Sequence, residues 1–355
     1  MPAALALRQP VGVCVGMAPW NAPVILGVRA IAMPLACGNT TVLKASELCP
    51  AVHRLIIDAF LEAGLPAGAV NFITHAASDA PAVVEALIAH PAVRRVNFTG
   101  SSRVGRIIGE LSGKHLKPCL LELGGKAPLV ILEDADLDEA VAAAAFGAFM
   151  HQGQICMSTE RIIVVEKIAE EFIRRFVEKA KSLKVGDPSS GNFPIGACVD
   201  TRTVDHVKAL IADATAKGAR VLAGGKGSGG AFFEPTVVDG VQKGMRIYGE
   251  ESFGPIVGIL RARDVDHAVE LANDCEYGLS AAVFSRDIGT ALSVAQRIDS
   301  GICHINSPTV QDEAQMPFGG TKASGLGRFG GKAGIAEFTD LRWISIATQP
   351  RHYPI

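Results

Sequence analysis

The sequence predicts an α/β fold of two successive units, each built on a mostly parallel sheet. Three observations carry that expectation. Short apolar runs alternate with helical stretches of roughly 10 to 15 residues, the pattern of βαβ units. The 355 residues amount to about two domains at roughly 150 residues apiece. Paired glycines, Gly124-Gly125, interrupt the series and a second round of strands follows, which puts the join near residues 123–126.

Residues 11–18 (VGVCVGMA) form an unbroken apolar run, expected as a buried strand, and a helix follows through Cys37. Residues 41–44 make the next strand. The helix expected over 49–63 is closed by Gly64 and Pro66, because glycine permits the exit and proline cannot continue the helix. Strands follow at 69–74, 94–98 and 118–123, with helices at 80–90 and 103–112. The second unit opens on a strand at 127–132 and carries helices at 137–150, 169–183 and 201–217. Its later strands fall at 255–260, 281–285 and 301–306. The stretch 224–230 (GGKGSGG) reads as a flexible surface loop. Residues 325–330 spell G-x-G-x-x-G, but no strand leads into them, so they read as a turn and not as a dinucleotide fingerprint.

At 48% hydrophobic and 20% charged residues the chain is too apolar for disorder. The 34 basic and 36 acidic residues leave a net charge of −2, so neither nucleic acid nor an anionic membrane is an expected partner. The most apolar stretches, 11–20, 30–38 and 140–150, fall short of the ~20 residues a membrane span needs. The first ten residues hold no sustained apolar segment of the secretory type. Eight scattered cysteines without a C-x-x-C spacing point to reduced thiols in the cytoplasm, and no metal site is expected.

Cys156 stands apart from the other cysteines. It follows Gly153-Gln154-Ile155 at the end of a helical run and precedes polar Ser158 and Thr159, whereas Cys14, Cys37 and Cys119 lie in apolar runs. A thiolate nucleophile needs partial exposure and a nearby dipole or positive field. Glu122, between two leucines and ahead of the paired glycines, is expected to be desolvated, which raises a carboxyl's pKa and suits it to general-base work; the alternative is a buried structural ion pair. Asn21, in Pro19-Trp20-Asn21-Ala22-Pro23, offers an amide donor for a developing oxyanion or, alternatively, a helix cap. Phe98-Thr99-Gly100-Ser101-Ser102 closes a strand and opens a helix, a natural phosphate site. Lys44 and Glu47 close another strand, where a carboxylate grips ribose hydroxyls.

Taken together, the motifs PWN, FTGSS, LELGGK, GQICMS, EESFGP and PFGGTKASG resemble the NAD(P)-dependent aldehyde dehydrogenase superfamily, in family order from Val11 to about Trp343. The segment from His304-Ile305-Asn306 through Asp312-Glu313 to Arg328-Phe329-Gly330-Gly331 is most similar to the aromatic (benzaldehyde, vanillin and salicylaldehyde) branch. The resemblance implies a Rossmann-type NAD-binding domain over 1–122, an α/β catalytic domain over 123–318, and a C-terminal return with an oligomerisation strand over 319–355. It also implies that the family's N-terminal portion, ahead of Gln9-Pro10-Val11, is missing, which would leave a strand at about 341–346 short of partners.

The resemblance further implies site roles. Cys156 is the nucleophile, Glu122 the base that activates water, and Asn21 with the Cys156 amide the oxyanion donors. Trp20, Lys44, Glu47, Gly100, Ser101, Gly124, Glu251 and Phe253 hold the cofactor, NAD in preference to NADP because Glu47 repels a 2′-phosphate. Arg29, Met17 and Met157 are candidates for the substrate pocket, although a place in the apolar core is the stronger reading for the methionines, and pairing with a carboxylate suits Arg29 as well as binding a substrate hydroxyl. The expected partners are a small aldehyde and further copies of the chain, as a homodimer or homotetramer. A CoA-acylating relative and an inactive subunit acting by association stand as alternatives.

Overall fold

The computed structural model describes residues 3–355. Two compact units are present, Met1–Glu122 with Glu313–Pro317 and Leu326–Ile355, and Leu123–Asp312 with Phe318–Gly325. The third segment expected at 319–355 does not stand apart: its first residues belong to the second unit and the remainder to the first.

The first unit runs β1 (Ala3–Pro10), β2 (Val13–Met17), α1 (Pro23–Ala36), β3 (Thr40–Lys44), α2 (Pro50–Glu62), β4 (Val70–Ile73), α3 (Ala80–Ala89), β5 (Val93–Thr99), α4 (Ser102–Lys114) and β6 (Cys119–Glu122). Proline opens α1 and α2, at the position where a missing N–H leaves no bond unmade. Ser101 caps α4, its Oγ accepting from the Val104 amide at 3.4 Å. The strands lie in the order β6-β5-β2-β3-β4, all parallel. The chain therefore moves outward from β2 to β4 and then returns to the other side of β2. α1 and α2 pack against each other, as do α3 and α4, the arrangement expected when right-handed crossovers run first to one side of β2 and then to the other. The order reverses at the β2/β5 junction, and open sheets of this kind bind ligands at the C-terminal ends of the strands there. Ala30, Ile31, Leu43, Ile57 and Val70 form the core beneath α1 and α2.

The C-terminal strand corrects an expectation. It spans Thr339–Ile346 and is not short of partners, pairing antiparallel with β1 from Ala3–Ile346 through Pro10–Thr339. The separation of more than 300 residues hides this ladder from any local reading.

The second unit runs β7 (Ala127–Ile131), α5 (Leu137–Phe149), β8 (Thr159–Val165), α6 (Glu166–Ser182), α7 (Thr201–Ala216), β9 (Arg220–Ala223), β10 (Thr236–Asp239), β11 (Ile256–Ala262), α8 (Val265–Asn273), β12 (Ser280–Phe284), α9 (Ile288–Arg297) and β13 (Ile302–Ile305). Asp136, Asp200, Asp264 and Asp287 cap α5, α7, α8 and α9 with their carboxylates. The sheet order is β13-β12-β7-β8-β11-β10-β9, parallel except for β9. Alternate residues feed two cores: Leu129, Ile131, Ile162 and Val164 pack with Phe172 and Phe176, while Val130 and Ile163 pack with Val207 and Leu210. β8 lies inside this sheet and is buried along its whole length, yet no strand is expected there from sequence, because its first residues are Thr159, Glu160 and Arg161. The glycine-rich stretch is likewise more ordered than expected, since Gly227–Gly229 pairs with Phe232–Phe233. No helix of the described residues is long and apolar enough to cross a membrane.

Candidate active site

In the first unit a groove of about 670 Å³ opens at the C-terminal ends of β2, β3 and β5, lined by Met17, Trp20, Lys44, Glu47, Phe98 and Gly100 among others. Its position follows from the topology: it lies at the reversal of strand order. Lys44 Nζ sits 2.5 Å from Glu47 Oε1, and His75 Nε2 lies 3.3 Å from the same oxygen. Burial opposes ionisation of Glu47, but the Lys44 bond and the charges beside it outweigh burial and hold the carboxyl below its usual range. Ser101 and the first turn of α4 follow directly on groove-lining Gly100, whose amide donates to the Glu122 carbonyl at 2.9 Å. An ionised carboxylate for hydroxyls, an amide-rich helix start for phosphate and an apolar wall for a base together fit the adenosine half of a dinucleotide.

Asn21 and Glu122 belong to the same end of this sheet. Asn21 follows β2 and stands one residue ahead of Ala22, the N-cap of α1. Glu122 ends β6 and is 2% exposed. Met17 lines the nucleotide groove. Arg29, on α1, carries its guanidinium carbon 5.9 Å from the centroid of the Phe329 ring, a cation–π contact.

In the second unit Cys156 does not end a helix. α5 stops at Phe149, a kinked turn follows in which His151 and Gln152 both take left-handed φ (51° and 57°), and Cys156 is half-buried in the turn before β8. The Ser158 amide closes that turn on the Ile155 carbonyl at 2.8 Å. Thr309 Oγ1 donates to the Met157 carbonyl at 2.7 Å, and Gln154 Oε1 accepts from the Val199 amide at 2.8 Å. Met157 is buried in this same turn.

The paired glycines explain themselves here. A Cβ on Gly125 would lie 2.2 Å from the Cys156 carbonyl oxygen, and one on Gly124 would lie 2.6 Å from Glu251 Oε2. The Gly125 amide donates to Glu251 Oε1 at 2.9 Å. Thus the Cys156 turn and the Glu251 carboxylate both pack on one side-chain-free turn. The Glu251 carboxyl is pushed up to about 7, chiefly by burial, with Glu160 adding repulsion and the Gly125 amide and Lys126 opposing it. Phe253, two residues on, has φ +45°, a strained value for an aromatic residue.

Sequence reasoning missed the supports. Lys126 Nζ lies 2.6 Å from Glu160 Oε2, both buried. Buried Arg161 donates to the carbonyls of Lys126, Leu271 and Ala272 at 3.2, 2.8 and 2.9 Å. Adjacent charges immediately ahead of the apolar run Ile162–Val165 were the signal available, since a strand that buries its polar start must partner it. Among the described residues no cluster of His, Cys, Asp and Glu is arranged to hold a metal.

Comparison with known proteins places the chain in a family. A vanillin dehydrogenase of Pseudomonas fluorescens is 62% identical over 352 residues, covering 99% of this chain and 73% of the relative. A benzaldehyde dehydrogenase [NAD(+)] of Pseudomonas putida is 41% identical over 353 residues, covering 99% of this chain and 71% of the relative. The crystal structure of a salicylaldehyde dehydrogenase from Pseudomonas putida G7 complexed with salicylaldehyde superposes with a TM-score of 0.97 at 51% identity, over 99% of this chain and 73% of that one. Residues 2–344 match the aldehyde dehydrogenase family, and the chain belongs to it.

Proposed function

We propose that this enzyme oxidises aromatic aldehydes to carboxylic acids with NAD, using Cys156 as nucleophile and Glu122 as general base. The observation that carries the reading is the single Gly124-Gly125 turn against which both the Cys156 carbonyl and the Glu251 carboxylate pack. The aromatic character of the substrate rests on the vanillin, benzaldehyde and salicylaldehyde relatives.

The Cys156 thiolate attacks the aldehyde carbon, and the carbonyl oxygen becomes an oxyanion that accepts from the Asn21 side-chain amide and the Cys156 backbone amide. Bound NAD supplies the acceptor for the hydride that the tetrahedral carbon releases. The carbon is left as a thioester on Cys156. Glu122 then takes a proton from water, the oxygen attacks the thioester carbon, and the sulfur departs as thiolate. Trp20, Lys44, Glu47, Gly100 and Ser101 hold the adenosine end of the cofactor; Gly124, Glu251 and Phe253 hold the nicotinamide ribose. Arg29 and Met157 face the aldehyde, with Met17 on the nucleotide side. Glu47, kept ionised, disfavours NADP.

The exposed ribbon of Leu5, Leu7, Leu341, Trp343 and Ile346 supports a homodimer or homotetramer as the working form. Eight cysteines without a disulfide support a cytoplasmic setting.

NADH formation from vanillin, salicylaldehyde and benzaldehyde, with and without CoA, tests the reading. Turnover without CoA is expected; strict CoA dependence would replace water by a thiol in the second step. Cys156→Ala should abolish NADH production, and substantial residual turnover would remove it as nucleophile. Glu122→Gln should give one burst of NADH and then stall. Equal loss of burst and steady state would assign Glu122 a structural role.

A further inference from the structure

Glu251 reaches its place through backbone that other residues hold. Glu160 Oε1 accepts from the amides of Ser252 and Phe253 at 2.9 and 3.2 Å. Its second oxygen meets Lys126 Nζ, which also donates to Ser252 Oγ at 3.1 Å. Lys126 stands one residue past the Gly124-Gly125 turn, and Arg161 fixes the Lys126 carbonyl. Lys126, Glu160, Arg161 and Ser252 are all buried.

We propose that Lys126 and Glu160 are a positioning pair for the nicotinamide ribose, clamping the backbone of Ser252 and Phe253 so that Glu251 stays on the Gly124-Gly125 turn. This rests on the assignment of Glu251 to that ribose. Three directed bonds converge on two consecutive residues, and the left-handed φ of Phe253 persists only where surrounding contacts over-determine it. A buried ion pair adds little stability over apolar residues of similar size, whereas it specifies geometry well. The pair also acts on Glu251 through space, since the Glu160 charge raises its carboxyl and the Lys126 charge lowers it.

The test uses the whole 355-residue chain and three readouts: calorimetric Kd for NAD, KM for the aldehyde, and hydrolysis of p-nitrophenyl acetate without cofactor, which needs the thiol and base but no ribose grip. The double variant Lys126→Met/Glu160→Leu removes the clamp without stranding a charge. Its NAD Kd should rise about tenfold to a hundredfold while ester hydrolysis stays within about twofold. Glu160→Gln keeps an acceptor oxygen and should cost about threefold or less in Kd. It should also move the pH midpoint of NAD affinity to lower pH, because the charge repelling Glu251 is gone. A folded double variant with wild-type NAD affinity overturns the proposal, and so does a parallel loss of ester hydrolysis and NAD affinity. Glu251→Ala is the control: if it leaves NAD affinity unchanged, the ribose assignment itself fails, irrespective of the pair.

Discussion

Two lysine–glutamate pairs of nearly equal length serve this enzyme in opposite ways. Lys44–Glu47 (2.5 Å) is local, three residues apart, with 12% and 27% of its side chains exposed on the wall of a groove. Lys126–Glu160 (2.6 Å) joins the starts of two neighbouring strands, with 0% and 5% exposed. The first pair can still meet a ligand, because water and groove keep one side open. The second is turned inward: Glu160 accepts from the Ser252 and Phe253 amides, and Lys126 donates to Ser252 Oγ. Contact chemistry is the same in both; burial and the remaining partners decide whether a pair recognises or positions.

The largest effect that would break this comparison is on stability. Removing one member of a buried pair strands the other charge, so Lys126→Ala or Glu160→Ala should lower the free energy of unfolding by about 3–5 kcal/mol. Lys44→Ala, at a partly exposed pair, should cost about 1 kcal/mol or less. Urea titration of the three variants decides: equal losses would mean that burial does not separate the pairs. The Lys126→Met/Glu160→Leu double variant should recover most of the loss, since neither charge is left alone.

The same contrast explains what was legible in the sequence. Elements of the first unit, and the role of strand ends there, could be read because Lys44, Glu47, Gly100 and Ser101 lie within a few residues of the strands that place them. The Thr339–Ile346 ladder and β8 were not legible, for different physical reasons: one pairing is distant in sequence, and the other strand opens with charges that only burial and partners make tolerable. Of the candidate site, Cys156 and Glu122 stand out in the sequence as candidates and Glu251 through the family resemblance, but the reason for Gly124-Gly125, the close approach of the Glu251 carboxylate and the Cys156 carbonyl, exists only in three dimensions. The support from Lys126, Glu160 and Thr309 joins residues distant in sequence, so even the charges at Glu160 and Arg161 do not reveal their partners.

A smaller effect sharpens the comparison through pH. Glu47 is held below the usual carboxylate range, whereas Glu251 is pushed up to about 7. If the ionised form of Glu251 grips the ribose, NAD affinity should tighten as pH rises toward and through about 7, by at most about tenfold per unit on the acid side. Glu251→Gln should flatten this profile and Glu47→Gln should leave its shape intact; calorimetry across the range reads both. The two carboxyls also load stability with opposite signs. The folded protein binds a proton at Glu251 more tightly than the unfolded chain does, so its contribution falls as pH rises from the ordinary carboxylate value toward about 7. The contribution of Glu47 is present above the unfolded value and is lost as pH drops through its depressed folded value. A stability profile in which both variants shift the same way would contradict these environments.

The smallest expected effect concerns cofactor choice, and it separates the two ends of the dinucleotide. If Glu47 faces the adenosine ribose as proposed, a 2′-phosphate brought to the groove wall meets its carboxylate, whose charge Lys44 offsets only in part. In Glu47→Gln the repelling charge is gone while Lys44 keeps its own, so the wall changes from one that rejects phosphate to one that attracts it. The ratio of kcat/KM for NADP to that for NAD should therefore rise about tenfold, roughly 1.4 kcal/mol, with NAD itself weakened about threefold by the lost hydroxyl acceptor. Glu251→Gln should weaken both cofactors alike and leave the ratio unchanged, because the nicotinamide ribose is the same in both. Steady-state kinetics with the two cofactors reads the difference directly. A ratio that moves equally in the two variants would mean that Glu47 does not face the adenosine ribose, and that the Lys44–Glu47 pair, like its buried counterpart, serves only the protein.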